Sequence, residues 1–159
     1  MKVDLYEKIW MIGAGAISAL FVTAILFTSL AHGMHPQSHV ETIDPQSARS
    51  DPRFAQPGVR IRRDGSAEVT VVAQLFSFDP PEIHVPAHRP VTFRLTSTDV
   101  IHGFEVAGTN TNSMIVPGYI SQLTTRFDHP GEYLLVCNEY CGAGHHMMSG
   151  KLVVEEGGQ

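Results

Sequence analysis

The sequence predicts an all-β sandwich or Greek-key barrel behind a single N-terminal transmembrane helix. Three observations carry this. An uncharged, mostly apolar run of 23 residues, Ile9 to Ala31, follows a short polar start. From Glu68 onward, short β-branched or alternating segments recur about every ten residues, with Gly, Pro or Asn between them. Between two of the last of these segments lies a loop, Cys137 to Met148, dense in soft donor atoms.

The chain has 159 residues, enough for one compact domain and an anchor. Its formal net charge is −5 and it has no basic patch, so nucleic acid is not an expected partner. Only two cysteines are present, Cys137 and Cys141, both in the donor-rich loop. A disulfide framework is therefore not what holds the domain together.

The apolar run is long enough to cross a hydrocarbon core, which takes roughly 20 residues as helix. Gly13, Gly15, Ser18 and Ala19 give its first half the small residues that favour close helix packing in membranes. Tyr6 and Trp10 sit where interfacial aromatics belong. Lys2 and Lys8 precede the run, and the next Lys or Arg is Arg49. That asymmetry puts the N-terminus in the cytoplasm and the rest on the outer face of the cell membrane. A cleaved signal peptide ending at Ser29-Leu30-Ala31 is the competing reading. The run is too long for that, and Asp4 and Glu7 are out of place in a signal peptide's first segment. Residues 1–31 are thus read as a cytoplasmic start and one retained anchor.

Residues 32–66 hold Pro36, Pro45, Pro52 and Pro57 and little apolar periodicity, which reads as an extended linker. His32, His35 and His39 fall in it and are read as linker histidines without a ligand role. Residues 67–159 then form the β domain. Val69 to Ala73 is β-branched, Glu82 to Val85 alternates, and Val91, Phe93 and Leu95 share one face of Pro90 to Thr96. Further strands are expected at His102 to Val106, Met114 to Val116, Ser121 to Phe127, Glu132 to Val136 and Lys151 to Val154.

Cys137 ends a strand and the next strand begins after Gly150, so the candidate ligands lie on a loop at one end of the barrel. Thiolate, thioether and imidazole together suit copper better than calcium, magnesium or manganese. Four readings compete. A Cys137–Cys141 disulfide leaves His145 and Met148 unexplained. Zinc would accept two Cys and a His, but the spacing is not that of a zinc finger. A mononuclear blue-copper site needs one Cys, two His and a weak axial Met, which makes the second Cys surplus. A dinuclear copper site bridged by both thiolates uses every soft ligand, provided a second imidazole arrives from elsewhere. His102, at a strand junction, is the candidate.

The pairing of Asp99-Val100-Ile101-His102-Gly103-Phe104 with Cys-x-Glu-x-Cys-Gly-x-Gly-His-x-x-Met, 35 positions on, closely resembles subunit II of cytochrome c oxidases. The single anchor, the short chain and Gly108-Thr109-Asn110 make it most similar to the B-family (ba-type) oxidases. The resemblance implies a cupredoxin fold with a dinuclear CuA centre. It implies that Cys137 and Cys141 bridge both coppers and that His102 and Met148 complete one of them. His145 and the backbone carbonyl of Glu139 complete the other. His146 and Met147, each one place off the motif, are read as non-ligands. In many members the Glu at the position of Glu139 also reaches a magnesium ion shared with subunit I. Members usually carry a Trp-containing aromatic run where electrons arrive. Here Phe76 and Phe78 stand in the comparable region and are the candidates for that role.

The resemblance further implies an electron-transfer subunit. It would accept electrons from a cytochrome c or a small copper protein and pass them to heme in subunit I, where oxygen is reduced to water and protons are pumped. Nothing in the chain offers a nucleophile with a partnered base, a phosphate-binding loop or a paired-carboxylate site. Three rivals are a membrane-tethered copper-delivery protein, the CuA domain of nitrous oxide reductase and a quinol-oxidase subunit II. The first needs exchangeable ligands, the second a large catalytic domain and the third a lost ligand set.

Overall fold

The structure, a computed structural model, describes residues 4–31 and 41–156. It divides into two units, residues 1–39 and 40–159. In the first, helix α1 (Leu5–Ala31) opens with the Lys8 N–H donating to the Asp4 carbonyl at 3.0 Å. Its segment Leu5–Thr28 is long and apolar enough to cross a membrane. The large side chains Trp10, Phe21 and Phe27 are exposed, as on a helix whose surroundings are apolar. Thr23 and Thr28 turn their hydroxyls back onto the Ala19 and Ala24 carbonyls at 2.8 and 2.9 Å, so neither hydroxyl faces hydrocarbon unsatisfied. His32, His35 and His39 lie outside the described residues.

The second unit is built of strands. They are β1 (Glu41–Thr42), β2 (Gly58–Ile61), β3 (Ala67–Gln74), β4 (Ser77–Asp79), β5 (Glu82–Pro86) and β6 (Pro90–Ser97). Then follow β7 (His102–Val106), β8 (Asn112–Ile115), β9 (Tyr119–Arg126), β10 (Gly131–Val136) and β11 (Ser149–Glu155). One sheet runs β1-β9-β6-β3-β2, with β4 also paired to β3; the other runs β5-β11-β10-β7-β8. The first is organised on the parallel pair β3 and β6, which sets Val69 beside Phe93 and Val71 beside Leu95. The side chains of all four point between the sheets and are fully buried, as are Phe104, Ile115 and Leu135 facing them from the other sheet. Phe104 is the hub: its ring centroid lies 5.1 Å from that of Phe93 and 5.9 Å, edge-on, from that of Phe78.

The stretch expected as linker is different from residue 41 on. Glu41 and Thr42 pair with β9, a 3-10 turn spans Pro45–Ser50, and β2 pairs antiparallel with β3. Ile43, Ala48 and Phe54 cover the outer face of the first sheet, where they bury Val72 and Ile120 in a second small core. Asp44 caps the turn through the Gln46 N–H, and Arg49 bridges to Asp79 at 2.7 Å. Arg94, on the same outer face, pairs with Glu41. The arm is thus strapped to the barrel, and its prolines belong to the turns that let it follow the sheet.

Register positions the functional end. β10 and β7 are antiparallel, with Leu135 opposite Val106 and Val136 opposite Glu105, so the chain leaving β10 runs alongside the start of β7. β10 and β11 form a long hairpin in which Val136 faces Ser149, and the Cys137 N–H donates to the Met148 carbonyl at 3.2 Å. The loop between them is therefore closed at its base.

Candidate metal centre

His102 is the first residue of β7, and the antiparallel pairing of β7 with β10 brings its side chain near Cys137. Its Nδ1 lies 3.9 Å from the Cys137 Sγ. The two thiols face each other at 3.8 Å, too far for a disulfide bond, and both are free. The Cys141 Sγ lies 3.6 Å from His145 Nδ1 and 3.8 Å from Met148 Sδ. The Glu139 carbonyl oxygen is 3.2 Å from Cys137 Sγ. The loop can fold this way because Gly142 adopts φ 129° and because a 3-10 turn, His145–Met147, swings Met148 back under it.

The site is dry. His102, Cys137, Cys141 and Met148 are buried, while His146 and Met147 are exposed. Burial pushes the Cys141 thiol up to about 11, and the neighbouring Cys137 adds to the shift. A bound cation offsets that cost by taking the thiol proton's place as the partner of a thiolate. Among the described residues, His102, Cys137 and Cys141 form a cluster whose donor atoms all lie within 4.8 Å of one another. His145 stands outside that cluster, on the Cys141 side.

The donor set fits copper. Two sulfurs on one metal, at bonds near the 2.3 Å of zinc thiolates, stand no more than about 4.6 Å apart, and these two do. A thioether beside the thiolates is a soft ligand that zinc sites do not use.

His102 also has an orienting partner that the sequence reading did not single out. Its Nε2 lies 2.7 Å from Asp99 Oδ1, which also accepts the Val100 N–H at 2.6 Å. Asp99 Oδ2 accepts the Leu75 N–H at 2.6 Å. Burial pushes the Asp99 carboxyl up, but the hydrogen bonds from His102, Val100 and Leu75 outweigh it and leave it below the usual carboxylate range. A histidine ligand with its second nitrogen on a carboxylate is the ordinary second layer of a metal site. The three-residue spacing from Asp99 to His102 at a strand junction was the available signal.

The model of the periplasmic domain of cytochrome c oxidase subunit II matches residues 67–156. The chain belongs to the cytochrome c oxidase subunit II family. A cytochrome c oxidase subunit 2 of Thermus thermophilus is 39% identical over 155 residues, covering 95% of this chain and 92% of that one. The match therefore reaches into α1. A second Thermus thermophilus subunit 2 is 40% identical over 126 residues, 78% of this chain and 93% of that one. Among solved structures, a chain of a heme-copper terminal oxidase dimer is 31% identical with a TM-score of 0.72, covering 94% of this chain and 99% of that one. The periplasmic domain of subunit II from Bradyrhizobium japonicum has a TM-score of 0.52 at 17% identity, covering 64% of this chain and 88% of that one, a likeness of fold. The fold is the cupredoxin-like barrel expected for the family, with one N-terminal helix.

The two aromatics expected to receive electrons separate. Phe78 is 2% exposed and packs on Phe104, so it is a core residue and no part of a surface. Alternation along β4 turns it inward while Ser77 and Asp79 face out. Phe76 lies in the turn before β4, half-buried against the metal loop. Glu139 is half-buried and joins no metal-ligating cluster of His, Cys, Asp and Glu among the described residues.

Proposed function

We propose that this chain is the electron-accepting subunit of a heme-copper terminal oxidase and that its loop holds the dinuclear copper centre CuA. The observation that carries the reading is the arrangement about the two sulfurs. Cys137 and Cys141 stand 3.8 Å apart with His102 near the first and His145 near the second. With two metals held by this sulfur pair, each imidazole would have a metal of its own. Cys137 and Cys141 would bridge, His102 and Met148 would serve one copper, and His145 with the Glu139 carbonyl the other.

Copper bound there supplies a one-electron redox couple. The chain's own residues do the rest. Asp99 fixes the ring of His102. The Gly103 N–H donates to Cys137 Sγ at 3.4 Å and steadies it. The barrel keeps water from the donors, and a loop closed at its base by the Cys137–Met148 hydrogen bond resists rearrangement when the charge changes.

The rim supports a donor protein as partner. Leu75, Val100, Ile101, Tyr140 and Met147 are all exposed around the loop, Tyr140 at 79% and Met147 at 68%. None of the five carries charge, so a cytochrome c or small copper protein would dock there largely through apolar contact. Electrons would continue to heme in subunit I, with the β domain on the outer, periplasmic face and α1 in the membrane. The exposed flank of α1 is suited to contact with that subunit.

The test is copper content and spectroscopy of the full-length chain loaded with copper in detergent. Two coppers per chain and an electron paramagnetic signal shared over two nuclei are expected. One copper with a mononuclear signal would overturn the reading. A membrane-tethered copper-delivery protein is separated by purification from native membranes, because an oxidase subunit brings a heme-bearing partner with it.

A further inference from the structure

The ring of Phe76 fills the space that side chains at positions 142 and 144 would need. A Cβ on Gly142 would come within 3.3 Å of the ring's Cε1 and Cζ, and one on Gly144 would lie 2.7 Å from Cε2 and Cγ. The two glycines differ in what restricts them. Gly142, at φ 129°, is in a backbone conformation that disfavours a side chain whatever the space. Gly144, at φ −92° and ψ 8°, is in a region that other residues adopt. At position 144 it is the Phe76 ring that excludes a side chain.

The two glycines lie between two of the candidate ligands: Gly142 follows Cys141 and Gly144 precedes His145. Within this segment Ala143, His146 and Met147 are exposed. Phe76 is itself held. The N–H of Leu75 donates to Asp99 Oδ2, while Asp99 Oδ1 holds His102. One carboxylate thus ties the His102 ring to the turn that carries Phe76, and the Phe76 ring rests on the backbone next to Cys141 and His145.

We propose that Phe76 is a positioning residue that registers the Cys141–His145 half of the loop against His102. Its ring, seated on the bare backbone of Gly142 and Gly144, sets where the second imidazole stands relative to the first. The effect on copper rests on the reading of the loop as a copper site; the effect on the loop itself does not.

The experiment therefore has a metal-free arm. In the metal-free full-length chain, Phe76→Ala should raise amide hydrogen exchange across residues 142–148 by about tenfold or more while exchange in β6 stays as it was. Phe76→Leu should lie between. Gly144→Ala should perturb the same segment in the Phe76 background and much less in the Phe76→Ala background, because the clash it makes is with the ring. With copper, Phe76→Ala should speed loss of the metal to a chelator by about tenfold and broaden the paramagnetic signal. Exchange within about twofold of the parent chain in Phe76→Ala, or an equal effect of Gly144→Ala in both backgrounds, would overturn the proposal. If the parent chain binds fewer than two coppers, the dinuclear reading fails while the exchange result still decides the role of Phe76.

Discussion

Asp99 Oδ1 sits 2.7 Å from His102 Nε2, so the ring presents Nδ1 to the Cys137 sulfur. His102 is fully buried and comes from a strand more than thirty residues before the loop it serves. Without the carboxylate, nothing on β7 selects that tautomer and ring orientation. Asp99→Asn should keep the fold and weaken copper affinity by about 10- to 100-fold, the usual cost of losing such a partner. Competition with a chelator of known affinity measures it. An unchanged affinity would mean that the barrel alone orients His102.

Cys141 lies between Cys137, His145 and Met148, at 3.8, 3.6 and 3.8 Å. Cys141→Ser removes the atom they share. In the copper-treated chain the dinuclear absorption should vanish and the melting temperature should drop towards that of the metal-free chain, since ligation favours the folded state. Without metal, the substitution should change the melting temperature little. Retained absorption and melting in the copper-treated variant would remove Cys141 from the site.

The inward face of β6, the apolar end of β10 and the ligand loop were legible because each is contiguous: an alternation or a motif can be read along one segment. The strap over residues 41–57 was not. Its buried residues, Ile43, Ala48 and Phe54, are isolated among polar residues and prolines, and they pack on Val72 and Ile120 of other strands. Their burial is tertiary, and no local period announces it. Phe76 and Phe78 show the same limit at finer scale. Two residues apart, they would share a face of a regular strand, but Phe76 sits in the turn and only Phe78 in β4, and only the fold sends Phe78 to Phe104 and Phe76 to the loop glycines. Asp99 was visible as part of a motif. Its bond to the Leu75 N–H, 24 positions away, was not.

Phe104 touches both Phe93 and Phe78 and lies two residues beyond His102. Phe104→Ala should leave a cavity between the sheets and cost about 3–5 kcal/mol. Urea unfolding of the metal-free chain checks this. A cost below about 1 kcal/mol would mean that the sandwich collapses around the deletion, contrary to the packing of two rings on this one.

His84 offers a pH-dependent contribution away from the metal. On β5, its Nδ1 lies 2.6 Å from Glu155 and its Nε2 3.0 Å from Glu82. The hydrogen bond to Glu155, then that to Glu82, raises its pKa above the ordinary 6.5, although the group is exposed. Because the folded-state value is the higher one, the stabilisation is fully present below about pH 6.5 and is lost as pH rises through the raised value. Glu82, held below its ordinary range first by His84 and then by Lys151, stays charged through that window. His84→Gln should therefore destabilise the chain more at about pH 5.5 than at about pH 9, and added salt should shrink the difference because the pair is exposed to solvent. Denaturant unfolding of both chains at the two pH values measures it. A gap that does not change with pH would show that the imidazole contributes only as a neutral hydrogen-bonding group.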